Sequence, residues 1–211
     1  GGKTLLITMN LQHIAQMSCN PAMGGVAKGQ IIREIDALGG RSGFVSDLSA
    51  VQFKMLNRSK GPAMWSPRVQ SDRMLFSSIW RKELEKQNNL DFCQAVVNDL
   101  LFDDNKISGV VSSTGTKFYS ETVILTNGTF LNGLIHIGEK NYGGGRTGEQ
   151  ASFGITKSLE SVGFSSGRMK TGTPPRVDGR SIDFNIMEVQ PGDKNPQKFS
   201  FSNETKTLEN Q

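Results

Sequence analysis

The stretch from Thr4 to Gly40 constrains the fold more than any other part of this chain. A short apolar segment, Thr4–Thr8, reads as a buried parallel strand. It runs into a loop carrying Ser18, Cys19, Asn20, Pro21 and the pair Gly24-Gly25. Residues 25–38 then place Val26, Ile31, Ile32, Ile35 and Leu38 at helical spacing, and Gly39-Gly40 stops the helix. A strand joined to a helix by a Gly-rich loop is the unit of an open α/β sheet, which binds ligands beyond the carboxyl ends of its strands. The loop sets one thiol, Cys19, in that position.

The remainder of the chain extends this pattern. Residues 44–67 have weak periodicity and end in a polar, basic loop, NRSKGPAMWSPR. The spacing predicts a helix over 68–87 with Val69, Leu75, Ile79 and Leu84 inward. Leu90–Phe92 reads as a short strand. Val96–Phe102, Ile107–Ser112 and Lys117–Tyr119, separated by turns at Asp103-Asp104-Asn105 and Thr114-Gly115, read as a β-meander. Thr122–Thr126 reads as a second buried strand, and residues 149–162 as a helix ended by Gly163. Beyond Phe164 the chain is polar and rich in Pro and Gly.

This order fits an α/β, doubly wound Rossmann-like domain with an antiparallel β-meander insert, the layout of flavoprotein nucleotide-binding domains. The reading takes residues 1–164 as that domain and 165–211 as a return loop and the start of an inserted domain. Such a domain opens with a strand and a G-x-G-x-x-G turn. The chain opens GGKTLLIT, already inside a strand pattern, so it reads as part of a longer protein lacking that strand and turn. A chain without them is expected to hold a dinucleotide weakly or not at all.

Composition narrows the class. A net charge of +4 is compatible with RNA or anionic ligands. Two cysteines make no disulfide framework and point to a reducing compartment, the cytoplasm. No apolar run reaches the ~18 residues of a membrane helix. His13 and His136 are too isolated to suggest a metal site.

Three stretches carry chemistry. A thiol is activated by a helix N-terminus or by nearby cations, and Cys19 is followed by a helix bearing Lys28 and Arg33. A free cysteine is also a small hydrophobe that packs, so both roles stay open here. Dithiol exchange is disfavoured, because Asn20-Pro21-Ala22-Met23-Gly24 offers no second thiol one turn on. Thr126, Asn127, Gly128 and Thr129 end an apolar run in a turn that lets backbone approach a nucleotide. Arg58, Lys60, Arg68 and Arg73 around Trp65 could hold phosphate or stack a base, and Arg168, Lys170 and Arg176 form a second anion-friendly loop. A solvated surface is the competing reading of both basic loops.

The segments QMSCNPAMGGVAKG, REIDALGG, FKMLNRSKGPAMWSPR, GTFLNGLIHIG, GGRTGE and KTGTPPRVDGRSIDF resemble, in order and spacing, those of the MnmG (GidA) family. The resemblance spans nearly the whole chain but only part of a full-length member. It implies FAD-dependent modification of C5 of the wobble uridine in certain tRNAs. Methylenetetrahydrofolate and NADH are the implied co-substrates, with a GTPase partner, MnmE, and a homodimer. It places Cys19 near the flavin, as a nucleophile or as a thiol tuning one-carbon chemistry there. Asn20, Pro21, Gly24 and Gly25 become the wall against the isoalloxazine. Val97 and Ser152 match FAD contacts, and Thr126, Gly128 and Thr129 match a nucleotide-side turn. Arg58, Lys60 and Arg68, with Lys170 and Arg176, are then expected to serve FAD or RNA phosphates. Two alternatives accompany it: a folate- and FAD-dependent tRNA uridine methyltransferase, and a non-catalytic RNA-binding fragment.

Overall fold

The computed structural model describes residues 2–209. In chain order its elements are β1 (Thr4–Thr8), β2 (Ala22–Gly24), α1 (Lys28–Ala37), α2 (Ser42–Leu48), β3 (Ala50–Leu56), β4 (Ser66–Ser71) and α3 (Arg73–Glu85). They continue with β5 (Leu90–Gln94), β6 (Val97–Asp103), β7 (Lys106–Ser112), β8 (Lys117–Tyr119), β9 (Leu134–Ile137), β10 (Lys140–Gly143) and α4 (Ile155–Ser161). The architecture is α/β, with parallel and antiparallel pairing in separate small sheets. No helix among the described residues is long and apolar enough to cross a membrane.

The chain divides into two compact units. The first joins the chain up to Gln12 with Asn88–Lys170, and the second joins His13–Gln87 with the chain from Thr171. Residues 165–170 therefore pack with the first unit and the segment from Thr171 with the second.

In the first unit β1 pairs in parallel with β5, Leu6 opposite Phe92. The meander β6-β7-β8 forms as its turn chemistry dictates: Asp104 and Asn105 both take positive φ, which a two-residue hairpin turn requires. Leu100, Val110 and Ile155 form the core, with Val97, Leu131 and Leu159 packed against it. Two sequence expectations fail here. Thr122–Thr126 is not a strand, and Ile124 is 85 % exposed, because no ladder partner lies along it among the described residues. The helix of 149–162 shrinks to Ile155–Ser161, since Gly154 at φ +109 lies against the Asn98 carbonyl and cannot continue a helix backwards. β1 is parallel as expected, yet Thr4 and Leu5 are exposed. The hairpin β9-β10, turning at Gly138, escapes the periodicity argument because its strands have only four residues each.

In the second unit β4 is central, flanked by antiparallel β2 and β3. The expected helix over 68–87 is a strand followed by a helix. Pro67 disfavours helix at its start, and Asp72 caps α3 by accepting from the N–H groups of Met74 and Leu75 at 2.9 Å each. Val69 is consequently a core residue of β4, and on α3 the fully buried side chain is Phe76, while Leu75 is exposed. Helix α1 forms where expected, but only Ile32 of its apolar set is buried. Val26, Ile31, Ile35 and Leu38 are exposed.

The end of the chain completes this unit. Phe199 is fully buried with Ile32, Phe53, Met55 and Val69. Its segment is latched by two helix carboxylates. Asp47 accepts from Phe199 N (2.6 Å), Ser200 N (3.0 Å) and Thr205 Oγ1 (2.9 Å), and Asp36 accepts from Ser200 Oγ (2.8 Å) and Phe201 N (2.7 Å). Burial raises the pKa of Asp47 above the usual carboxylate value, despite those hydrogen bonds and the charge of Lys198. A raised folded pKa means that the stability Asp47 contributes is complete below its unfolded value, about 3.9, and is lost as pH rises through the folded value. Asp47→Asn sets an amide N–H₂ against a backbone N–H and is expected to cost about 1–3 kcal/mol. Urea unfolding across a pH series checks the sign: the deficit should be largest at acid pH and narrow as pH rises, and a widening deficit contradicts the assignment.

Candidate functional site

The Cys19 loop belongs to the second unit, whereas β1 belongs to the first. Met17 anchors the loop, buried against Phe44, Val45 and Phe76, and the Ser77 hydroxyl donates to Ile14 O at 2.5 Å. Two residues past Met17 the chain turns outward, and Cys19 is exposed. The thiol is therefore not a packing residue. Its Sγ lies 3.2 Å from the Thr173 hydroxyl, and the Arg176 guanidinium donates to the Ser18 carbonyl at 2.5 Å. The segment from Thr173 to Arg176 thus lies along Ser18-Cys19, a juxtaposition across more than 150 residues of sequence that no local signal reveals. Helix α1 starts nine residues after Cys19, with β2 between them, so the thiol does not sit on the helix N-terminus.

The two glycines that follow differ in what they require. At Gly24 an added Cβ would fall 2.1 Å from Pro67 O, so this residue is glycine to let β2 pack on β4. Gly25, at φ +96, has open space where a Cβ would stand, and its N–H is tied to Pro67 O at 2.9 Å. A flat ring could approach the backbone there. Asn20 and Pro21 are exposed, and Pro21 O accepts from Ser71 N at 2.8 Å.

Arg58 is ion-paired to Asp193 at 2.7 Å, and Asp193 also accepts from Met55 N at 2.9 Å. Its charge is thereby spent on holding residues 190–193 against β3, where Lys54 and Gln52 donate to Pro191 O and Gln190 O. Lys60 is exposed and Arg68 is half-buried in β4, opposite Gly24 and Lys54. Neither has an ion pair among the described residues.

In the first unit the residues expected to face a nucleotide come together through Ser152. Its hydroxyl donates to Val97 O at 2.7 Å and its N–H to Phe130 O at 2.8 Å, while Phe130 N donates to Asn127 O at 3.1 Å. Val97, Ser152 and the Thr126–Thr129 turn therefore form one connected group. Thr129 donates to Gly145 O at 2.6 Å, and Gly128, at φ +55, is open where a Cβ would stand. Two members that sequence reasoning missed are Leu131, bridged to Ser152, and Arg146, stacked 5.5 Å over the Phe130 ring. Lys170 is exposed and Arg168 donates to Asn132 O at 3.2 Å, both in the first unit, and Arg176 belongs to the second.

The first unit groups backbone carbonyls, small hydroxyls and an open glycine around Ser152, and the second carries a thiol-bearing loop with an open glycine. The fold is that of an α/β protein with an exposed thiol. Residues 1–211 match the family described as Glucose inhibited division protein A, and the chain belongs to that family. The resemblance drawn from the motifs is borne out. A curated relative, the tRNA uridine 5-carboxymethylaminomethyl modification enzyme MnmG of Christiangramia forsetii, is 67 % identical over 211 residues, all of this chain and 34 % of that protein. The enzyme of the same name from Flavobacterium psychrophilum is 65 % identical over the same span. Among solved structures, Aquifex aeolicus GidA in its form II crystal superposes with a TM-score of 0.91 at 45 % identity, covering 99 % of this chain and 35 % of that one. The chain spans about a third of the length of the curated relatives it matches.

Proposed function

We propose that the protein carrying this chain modifies C5 of the wobble uridine of tRNA in an FAD-dependent reaction. The product class is the 5-carboxymethylaminomethyl group, with methylenetetrahydrofolate and NADH as co-substrates. In this reading the fold is a doubly wound flavin-nucleotide domain over 1–164, followed by a return segment and the start of an inserted domain. The protein works as a cytoplasmic homodimer with a GTPase partner, MnmE. The observation that carries the reading is identity of 67 % across the whole chain to an enzyme named for this modification.

Bound FAD would supply the redox chemistry. Val97 and Ser152, with Thr126, Gly128 and Thr129, would hold its nucleotide side, and Asn20, Pro21, Gly24 and Gly25 its ring. The chain's own chemical group is Cys19. As a thiolate it adds to C6 of uridine, forming an S–C6 bond and moving the ring π electrons toward C5. C5 then bonds a one-carbon electrophile, and loss of the C5 proton breaks the S–C6 bond and returns the thiolate. Thr173, 3.2 Å from Sγ, is placed to orient the thiol, and Arg176 holds the preceding residue in position.

Nucleoside analysis of tRNA from cells deleted for the gene tests the reading. Loss of the carboxymethylaminomethyl-type uridine supports it. Loss of a methylated uridine at another site favours the methyltransferase. Stable yellow flavin in a protein of the relatives' full length counts against a purely RNA-binding role. Alanine at Lys60, which has no ion pair among the described residues, is expected to weaken tRNA or flavin binding several-fold, as titrations of each ligand would report. Unchanged affinity for both removes this loop from the site.

A further inference from the structure

The second unit has a groove of about 410 Å³ away from the Cys19 loop, lined by Arg33, Gln197, Lys198, Phe201, Asn203 and Thr207 among others. Arg33 stands out in it by its burial. Arg41, Arg58, Arg81, Arg146 and Arg180 each pair with a carboxylate. Arg33, like Arg68, Arg73, Arg168 and Arg176, pairs with none among the described residues, but it alone of these has a guanidinium nitrogen buried without a partner among them. Its guanidinium stacks over the Phe201 ring at 4.8 Å, and its Nε is shielded from solvent without a hydrogen-bond partner. A half-buried guanidinium with no counter-charge is costly, and an anion accepting from its fork relieves that cost.

The nearby carboxylates do not fill this role. Asp36 lies three residues further along α1, and its oxygens accept from Ser200 Oγ and Phe201 N. Asp47 accepts from Phe199 N, Ser200 N and Thr205 Oγ1, and the Lys198 charge acts on it. Lys198 itself donates to the carbonyls of Ser202 and Thr205, which fixes the ammonium and leaves one of its three protons free. The groove is therefore lined by two cationic residues together with Gln197, Asn203 and Thr207. Arg and Lys only donate, and a phosphate oxygen only accepts.

We propose that this groove is a subsite for a backbone phosphate of the RNA substrate, with Arg33 and Lys198 as its cations. The proposal rests on the tRNA reading above and adds a contact remote in sequence from the SCNP loop. Phe201 backs the guanidinium and holds its plane, so the fork is organised before the phosphate arrives.

The test measures bulk tRNA binding against salt concentration, in a flavin-loaded protein of the relatives' full length that carries this chain. Arg33→Gln is expected to weaken binding about five- to tenfold at low salt and to reduce the slope of log K against log salt by about 0.7–0.9, one phosphate contact. Arg33→Lys should keep the slope, and Phe201→Leu, which removes the stacking but no charge, should keep it as well. Lys198→Gln repeats the charge loss if Arg33→Gln fails to fold. Intact tRNA binding with an unchanged slope in both charge-removing variants overturns the subsite alone. Absence of tRNA binding by the parent protein overturns the RNA reading together with this occupant. If tRNA binds parent and Arg33→Gln alike while inorganic phosphate binds the parent more tightly than the variant, the groove takes free phosphate and RNA is excluded as its occupant.

Discussion

Cys19→Ser in a protein of the relatives' full length is expected to lower wobble-uridine modification by about 100-fold or more, with flavin content and tRNA affinity unchanged. The magnitude follows from the role: a hydroxyl is a far weaker nucleophile than a thiolate, and removing the nucleophile of a covalent route leaves only binding and positioning. The structure supports a clean result, because Cys19 is exposed and, among the described residues, bonded through its side chain only to Thr173, while Met17 carries the packing of the loop. Folding should therefore survive. Modification undiminished in Cys19→Ser, measured by nucleoside analysis, removes the thiol from the reaction. Thr173→Val offers a graded comparison. It deletes the contact with Sγ and is expected to reduce the rate about tenfold while leaving the thiol accessible to alkylation.

Phe199→Ala is expected to destabilise the second unit by about 3–5 kcal/mol, lowering its melting temperature by about 10 °C. Phe199 is 0 % exposed and fills the core between Ile32, Phe53, Met55 and Val69. Truncating it leaves a cavity that β4 and α1 close poorly, because Gly24 and Gly29 already hold the backbone against Pro67. It also detaches the anchor that lets Asp36 and Asp47 latch residues 199–205. Thermal unfolding read by far-UV signal and by tryptophan fluorescence measures this. A loss under about 1 kcal/mol would mean that the segment does not belong to the core.

Local chemistry made part of this fold legible. The meander was readable because Asp103-Asp104-Asn105 encodes its turn within three residues and the flanking strands keep their apolar positions. Helix α1 was readable from its spacing and Gly39-Gly40, though not the face it buries. Thr122–Thr126 was misread because an apolar run becomes a strand only where a partner supplies the ladder. Residues 66–71 were misread because the α3 pattern extends backwards through Val69, and only Pro67 and the Asp72 cap mark the break.

The candidate site divides in the same way. Cys19, the Gly24-Gly25 pair and the Asn127-Gly128 turn stand out in the sequence because their backbone demands are local. Arg58 reads as an anion ligand in the sequence, and its pairing with Asp193, 135 residues away, is visible only in the fold. Ser152 became the hub joining Val97 to the Asn127 turn only through contacts to Val97 O and Phe130 O.

The sequence by itself determined the α/β class, the meander, the loop that carries the thiol and the family, since each is written in spacings of a few residues or in motifs long enough to be specific. Only the tertiary structure decided that Cys19 is exposed while Met17 packs, that Thr173 faces the thiol, that Phe199 closes a core and that Arg33 stands without a counter-charge. The packing of Met17 spans up to about 60 residues, and the contacts of Thr173, Phe199 and Arg33 close loops of more than 130, where many pairings share the same local pattern and burial and charge select one.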